Sequence, residues 1–478
     1  MKRTLYILIM CTTLFTACNS DISIDRQLDA EADIFPDYKE VTIPCNIAPM
    51  CFQLNDAKGI DTRLIIEGGN KKIQVKGEDG DFDIPIDKWH KLLAANRDTN
   101  LQFTVCRRED GKWAAYRPFT MHVTSDSIDA YLAYRLIPPG YGLWNAMGIY
   151  QRCLESFEET PIMENRQTEY NCMNCHTFQS QNPKKMCFHL RGNHGGSVLV
   201  RSGHVEKLNP EFPDTIKGIA YPAWHPYADY IAFSSNRVAQ SFFVHHRQRI
   251  EVFDTRSDAV VLDIARNRVI TAPELSSTRD WETWPAFSAD GKTLYYCTAP
   301  IVEPMPQEYK KVHFSVCTIG FDPETGSFGQ QVDTLFNAGD SLSFNYPRES
   351  PDGRWLVYNR QECGYFPINH KESDLWLRDQ KTGETRPLEA ANSNDCESYH
   401  TWSHNSHWLG FSSRRIDGLY VCAYFTYIDD NGQATKAFIM PQRHPRTFYD
   451  NQLNSYNIPE FITDAVEVSQ HTIAETVW

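Results

Sequence analysis

From about residue 36 to 135 apolar and polar positions alternate with a period of two, broken by turn-forming residues, the pattern of half-buried strands. Val41-Thr42-Ile43 and Met50 to Leu54 flank a turn. Leu64-Ile65-Ile66 and Lys72 to Val75 flank Gly68-Gly69-Asn70, a hairpin signal, and Leu101 to Val105 and Tyr116 to Val123 flank Asp110-Gly111. Ile86 to Ala95 has the spacing of one short helix. This length and strand spacing predict a β-sandwich-like domain over 36–135.

The pattern changes at residue 136. Pro138, Pro139, Gly140 and Gly142 open a stretch in which Trp144 to Phe157 carries helix-compatible apolar spacing. Residues 136–195 therefore read as a connector segment. From 196 onward a unit recurs: an aromatic residue and proline, a Ser-x-Asp-Gly turn, then an apolar strand. Tyr221-Pro222 precedes Tyr230 to Ser235, Trp284-Pro285 precedes Ser288-Ala289-Asp290-Gly291, and Tyr346-Pro347 precedes Ser350-Pro351-Asp352-Gly353. A fourth copy, Tyr399-His400-Thr401-Trp402-Ser403-His404, replaces Pro-Asp-Gly by His404-Asn405-Ser406. Units of this kind, each one hairpin turn with paired strands, predict a β-propeller of five or six blades over 196–478.

The N-terminus carries a different signal. Lys2 and Arg3 precede the apolar run Leu5 to Leu14, too short to span a bilayer, and Leu14-Phe15-Thr16-Ala17-Cys18 ends it. Small residues before a cysteine have the form of a bacterial lipobox. Residues 1–17 are thus expected to be a signal peptide, Cys18 the lipidated residue, and 18–35 a polar tether; cleavage elsewhere with Cys18 free is the alternative. The expected location is extracytoplasmic, anchored to the membrane by lipid, on either face of the outer membrane. The net charge of −14 argues against nucleic acid as a partner. Aromatic content of 13% favours strands, in line with the alternation. Fourteen cysteines are many for such a chain, yet a chain this long needs no staples, so single buried thiols and disulfides are equally compatible.

Cys172-Met173-Asn174-Cys175-His176 is the sharpest chemical signal. The spacing is that of c-type haem attachment: two thiols bond the haem vinyl groups and the adjacent histidine ligates iron. Met186 or His189 would be the distal ligand, and Arg191 could meet a propionate. Cys172, Cys175, His189 and His194 also satisfy two-cysteine, two-histidine zinc spacing, although Pro183 stands where a finger helix would begin. A structural or redox Cys172–Cys175 pair is the third reading. His400, His404 and His407, and His245-His246, read as surface histidines of turns. No Gly-x-Ser-x-Gly elbow, phosphate loop or dinucleotide fingerprint appears, so no enzyme class is indicated.

The repeat resembles the TolB-type, WD40-like propeller unit. The whole chain from about 36 to 465 resembles a family of Bacteroidota lipoproteins that join an N-terminal β domain, a CxxCH segment and a TolB-like propeller. The resemblance rests on Val41 to Pro44, Asn46 to Pro49, Tyr134 to Tyr141, Asn171 to Phe178, Met186 to Gly192, Ser412 to Arg415, Asp417 to Leu419 and Pro441-Gln442. It departs at Cys187, a thiol where a plain apolar residue is expected. It implies this domain order more than a job, the family being cytochrome c-like or propeller proteins. With the CxxCH motif it leads to the expectation of a mainly β, membrane-tethered haem c protein that transfers electrons, with a propeller that docks a redox partner. The alternative is a binding lipoprotein whose propeller takes a protein or glycan, with CxxCH structural or zinc-binding.

Overall fold

A computed structural model describes residues 22–138, 146–210, 220–242 and 250–477. The expected signal peptide, Cys18, Pro139, Gly140, Gly142 and His245-His246 lie outside them. The described chain is mainly β. Its N-terminal part holds a seven-stranded and a three-stranded sheet, with a helix at Ile86–Ala94 where the apolar spacing predicts one. Trp89, Leu92 and Leu93 form the helix's buried face. Thr62–Gly68 and Lys71–Gly77 pair as a hairpin, with Gly69 at φ +51° in the two-residue turn. The polar stretch expected to be tether is partly ordered: Arg26–Glu31 pairs in parallel with Lys112–Arg117.

The rest of the described chain forms six four-stranded antiparallel sheets. The first consists of Tyr131–Ile137, Gly148–Cys153 and Glu159–Glu164, completed by Ser455–Ile462 from the far end of the chain. The second holds Cys172–Phe178, Lys185–Arg191, Gly196–Arg201 and His204–Leu208. The third runs from Ala220–Trp224 to Arg268–Ile270, the fourth from Asp280–Phe287 to Ser327–Phe336. The fifth runs from Ser343–Glu349 to Thr385–Pro387, the sixth from Glu397–Trp402 to Phe438–Ile439. The first strands of the second to sixth sheets neighbour one another in order, and Ser455–Ile462 lies against those of the sixth and second.

Two expectations for 136–195 are overturned. Trp144 to Phe157 does not form a helix in its described part; Gly148–Cys153 is a strand between two partners. Short apolar runs satisfy both periodicities, and here burial on both faces favours the strand. The CxxCH stretch is no irregular connector either. It is the first strand of the second sheet, built as the repeat strands are.

The Ser-x-Asp-Gly turns show why the repeat needs its polar residues. Ser350 donates its hydroxyl to Asp352 (2.5 Å) and accepts the Trp355 amide (2.9 Å), and Asp352 accepts the Arg354 amide (3.0 Å). Ser288 and Asp290 repeat the arrangement. The degenerate copy preserves it: Asn405 takes the aspartate's place (Ser403 Oγ to Oδ1, 2.5 Å) and Ser406 takes glycine's at φ +65°. Its altered residues serve a contact. The His404 amide and ring both bond the buried Asp129, and Asn405 Nδ2 donates to the Ser127 carbonyl (2.8 Å). Trp408 Nε1 and Tyr427 Oη donate to Asp126. This turn thus clasps the segment that leaves the N-terminal sheets.

One hydrophobic core runs through both parts, from Trp89 and Phe103 to Trp408 and Phe425. Removing the buried Asp129 carboxylate leaves the His404 amide without its acceptor. Asp129→Ala is expected to lower stability in urea unfolding by about 1.5–3 kcal/mol; an unchanged midpoint would show that the clasp contributes nothing.

Candidate functional site

Each of the six sheets carries one non-glycine residue of left-handed conformation at a bulge in the same strand. They are Cys175 (φ +40°), Tyr221 (+51°), Trp284 (+49°), Tyr346 (+53°), Tyr399 (+47°) and Ile458 (+53°). At all six the pairing register shifts. Left-handed backbone costs a side-chain-bearing residue roughly 1–2 kcal/mol, which packing must offset. Tyr221, Trp284, Tyr346 and Tyr399 do this as a chain of ring contacts with centroids 4.2, 5.1 and 5.5 Å apart. Tyr365 and Phe366 pack against the same layer. In four strands the next residue is proline, which has no amide to lose at a bulge: Pro222, Pro285, Pro347 and Pro459. In the other two it is histidine, His176 and His400.

Residues just beyond these bulges, from all six sheets, line one cavity of about 400 Å³, with Tyr221, Trp284 and Tyr346 of the aromatic layer also in its lining. The residues two past each bulge are Thr177, Ala223, Ala286, Arg348, Thr401 and Glu460. The two small residues come from the neighbouring third and fourth sheets, Arg348 from the fifth, and Glu460 from the C-terminal strand, with Thr401 of the sixth between the charged two. The Arg348 guanidinium lies 3.9 Å over the Tyr346 ring and donates to the Pro347 carbonyl (2.8 Å). Glu460 accepts from the Phe178 amide (2.8 Å) and Thr177 Oγ1 (3.3 Å). Desolvation nevertheless pushes its pKa up to about 8, against the pull of those bonds and of Arg348. Glu349 is raised to about 7, chiefly by burial, with Tyr295 Oη donating to it (2.9 Å). Among the described residues the mouth thus offers one cation and two carboxyl groups that hold their protons more tightly than free carboxylates do.

The CxxCH residues divide between this cavity and the packed interior. Cys175 and His176 line the cavity, whereas Cys172 does not. Cys175 belongs to the core of the aromatic layer, Cys172 to a separate core with Met173, Phe188 and Leu190. Neither His176 ring nitrogen makes a well-aligned hydrogen bond, the Ala133 backbone being the polar group that acts on the ring. Burial, helped by Arg135, lowers its pKa to about 3, so the imidazole is neutral, the form that ligates metals. A haem held by two thioethers and an imidazole needs all three groups at one open space. Cys175 and His176 meet that requirement in this backbone, and Cys172 would have to turn out of its core. Met186 is buried in that same core, and His189 bonds Ser197 Oγ (3.0 Å), so neither expected distal ligand lines the cavity.

His194 bonds Glu169 (3.2 Å), apart from His189's partner. Among the described residues no group of three or more His, Cys, Asp or Glu side chains is placed to hold a metal ion, and no disulfide joins two cysteines. Cys187 is fully buried beside Leu199 and Phe233, an apolar role for a thiol. Arg191, near Cys172, Cys175 and Tyr221, keeps its charge favoured by their proximity. The expectation of surface histidines fails for His400, which is buried and bonds the Val357 carbonyl (2.9 Å). Its pKa falls to about 3 through burial and Arg348. His404 and His407 do lie at the turn.

Sequence reasoning missed Arg348 and Glu460. Arg348 stands inside a recognised repeat, and Ile458-Pro459-Glu460 repeats the bulge-proline order without the aromatic that signals it. No family model and no curated protein matches this chain. Solved structures resemble it remotely. A periplasmic gluconolactonase of Pseudomonas aeruginosa is 12% identical, with 65% of this chain and 96% of that one covered and a TM-score of 0.34. A puromycin-hydrolysing peptidase of Mycobacterium tuberculosis is 11% identical over 84% and 57%, TM-score 0.36. Prolyl oligopeptidase B of Galerina marginata is 11% identical over 65% and 45%, TM-score 0.38. At such scores these likenesses carry no argument about chemistry.

Because Glu460 holds its proton to about pH 8 when folded but would lose it near 4.5 unfolded, the unfolded chain binds fewer protons between these values. Its contribution to stability therefore declines as pH rises from about 4.5 to 8. The thermal midpoint of Glu460→Gln relative to the parent should rise across that window; a constant difference would place Glu460 in an unperturbed setting.

Proposed function

We propose that this chain is a lipid-anchored extracytoplasmic binding protein whose six four-stranded sheets are the blades of a TolB-like β-propeller. The C-terminal strand would complete the blade that Tyr131–Ile137 begins, and the ligand would bind where all six blades meet. One observation carries the reading: side chains from every sheet converge on a single cavity, and the repeat's backbone distortion is what aims them there. About 400 Å³ falls within the ~300–1,000 Å³ range of small-molecule sites. The occupant is then a terminal portion of a glycan or protein, held by Arg348, Glu460 and the aromatic floor. Lipidation at Cys18 would hold this mouth near the outer membrane.

A second reading is favoured by the neutral His176 ring, whose nitrogens make no well-aligned hydrogen bond, lying next to Cys175 on the cavity lining. In it Cys172 and Cys175 would hold haem c covalently and His176 would ligate its iron. The haem would supply reversible one-electron transfer to a docked redox partner. Arg135 and Arg191, both acting on Cys175, would face the haem's acidic groups.

Two measurements separate these. Glycan-array binding by the purified protein should vanish in Ala286→Trp and in Ala223→Arg, each checked for an unchanged thermal midpoint; binding retained in folded variants would move the site elsewhere. On a denaturing gel stained for haem, protein from an exporting host with c-type maturation should be colourless if the binding reading holds. A stained band that disappears in Cys172→Ala/Cys175→Ala would establish the haem protein instead.

A further inference from the structure

The cavity's polar groups are distributed unevenly, and that asymmetry selects a ligand. Arg348 is the one Arg or Lys among the described residues lining it, and it makes no ion pair among them. Its own-chain bonds are to the Pro347 carbonyl and the face of Tyr346, which fix the planar group without consuming its charge. Glu460 is anchored through one oxygen by Phe178 and Thr177. Ala223 and Ala286, from the third and fourth sheets, bring only methyl groups to the lining, and Thr401 adds a hydroxyl.

An arginine so held, with its ion pair unmade, suits a carboxylate taken in the two-pronged manner of guanidinium–carboxylate pairs. A carboxyl group and hydroxyls beside it suit ligand hydroxyls. Resting on the reading that this mouth is the ligand site, we infer that it binds small hydroxylated carboxylates, the sugar-acid class, with Arg348 taking the carboxylate and Glu460 a neighbouring hydroxyl. A free sugar acid and a uronic acid at the end of a glycan share this chemistry.

Titration calorimetry with D-glucuronate, D-gluconate, D-glucose and acetate tests it. Glucuronate, the ring form a glycan would present, and gluconate, the open form, should each bind at least tenfold more tightly than glucose, which lacks the carboxylate, and than acetate, which lacks the hydroxyls. Arg348→Gln should cost the acids at least tenfold. Ala286→Asp, which adds a negative charge to the lining, should weaken the acids more than it weakens glucose. Between the two acids, tighter binding of glucuronate marks a glycan's terminal uronic acid as the source, and tighter binding of gluconate a free open-chain acid. The inference is overturned if no acid binds at tens of millimolar, if glucose binds equally well, or if folded Arg348→Gln keeps the parent affinity. Should the acids fail while glycan-array binding still vanishes in Ala286→Trp, the mouth remains the site and only the ligand class falls.

Discussion

The pairing of Ser455–Ile462 with Tyr131–Ile137 is the constraint on which the remaining arrangement depends. The two strands lie more than three hundred residues apart, yet they share a ladder from Tyr131 opposite Ile462 to Ile137 opposite Ser455. Bringing them together costs loop-closure entropy that no local contact repays. The return comes from burial: Phe461 and Ile462 are fully inaccessible to solvent, and Tyr456 packs edge-on against Tyr134 at 4.7 Å. Without this strand the sheets on either side would each expose an apolar face, and Glu460 would be absent from the mouth.

The second organising feature is the bulge that every sheet repeats. It does two things at once, turning one residue into the aromatic layer and aiming the residue two further on into the cavity. The fold therefore supplies six equivalent positions, and the sequence individualises them. Where four strands carry an aromatic, one carries Ile458 and one Cys175. Where four carry proline, two carry His176 and His400, both buried and neutral. His176 thus has a structural counterpart in His400 that belongs to no cysteine motif. That equivalence gives the motif a place in the fold independent of any cofactor.

How far the sequence could be read follows from the same physics. The Asp-Gly turns and the aromatic-proline pairs were legible because each residue has a local reason, a turn or a bulge. The hairpin at Gly68 to Asn70 and the helix at Ile86–Ala94 were legible for the same reason. What stayed hidden is non-local. The partner of Tyr131–Ile137 has no signature near it, and Ile458-Pro459 lacks the aromatic that marks its equivalents. Histidine at a bulge looks like a polar turn residue, which is why His400 was expected at the surface. Apolar spacing in Trp144 to Phe157 fitted a helix until burial on both faces of Gly148–Cys153 decided for a strand. Arg348 was in view throughout, but only the converging strands bring Glu460 to the same cavity.

Native-state hydrogen exchange resolved to individual strands tests the central claim most directly. If the C-terminal strand secures the six sheets, the amides of Ser455–Ile462 and Tyr131–Ile137 should exchange together, in the slowest class and in one cooperative opening. Exchange of Ser455–Ile462 well ahead of Tyr131–Ile137 and Gly148–Cys153, with the other sheets still protected, would contradict it.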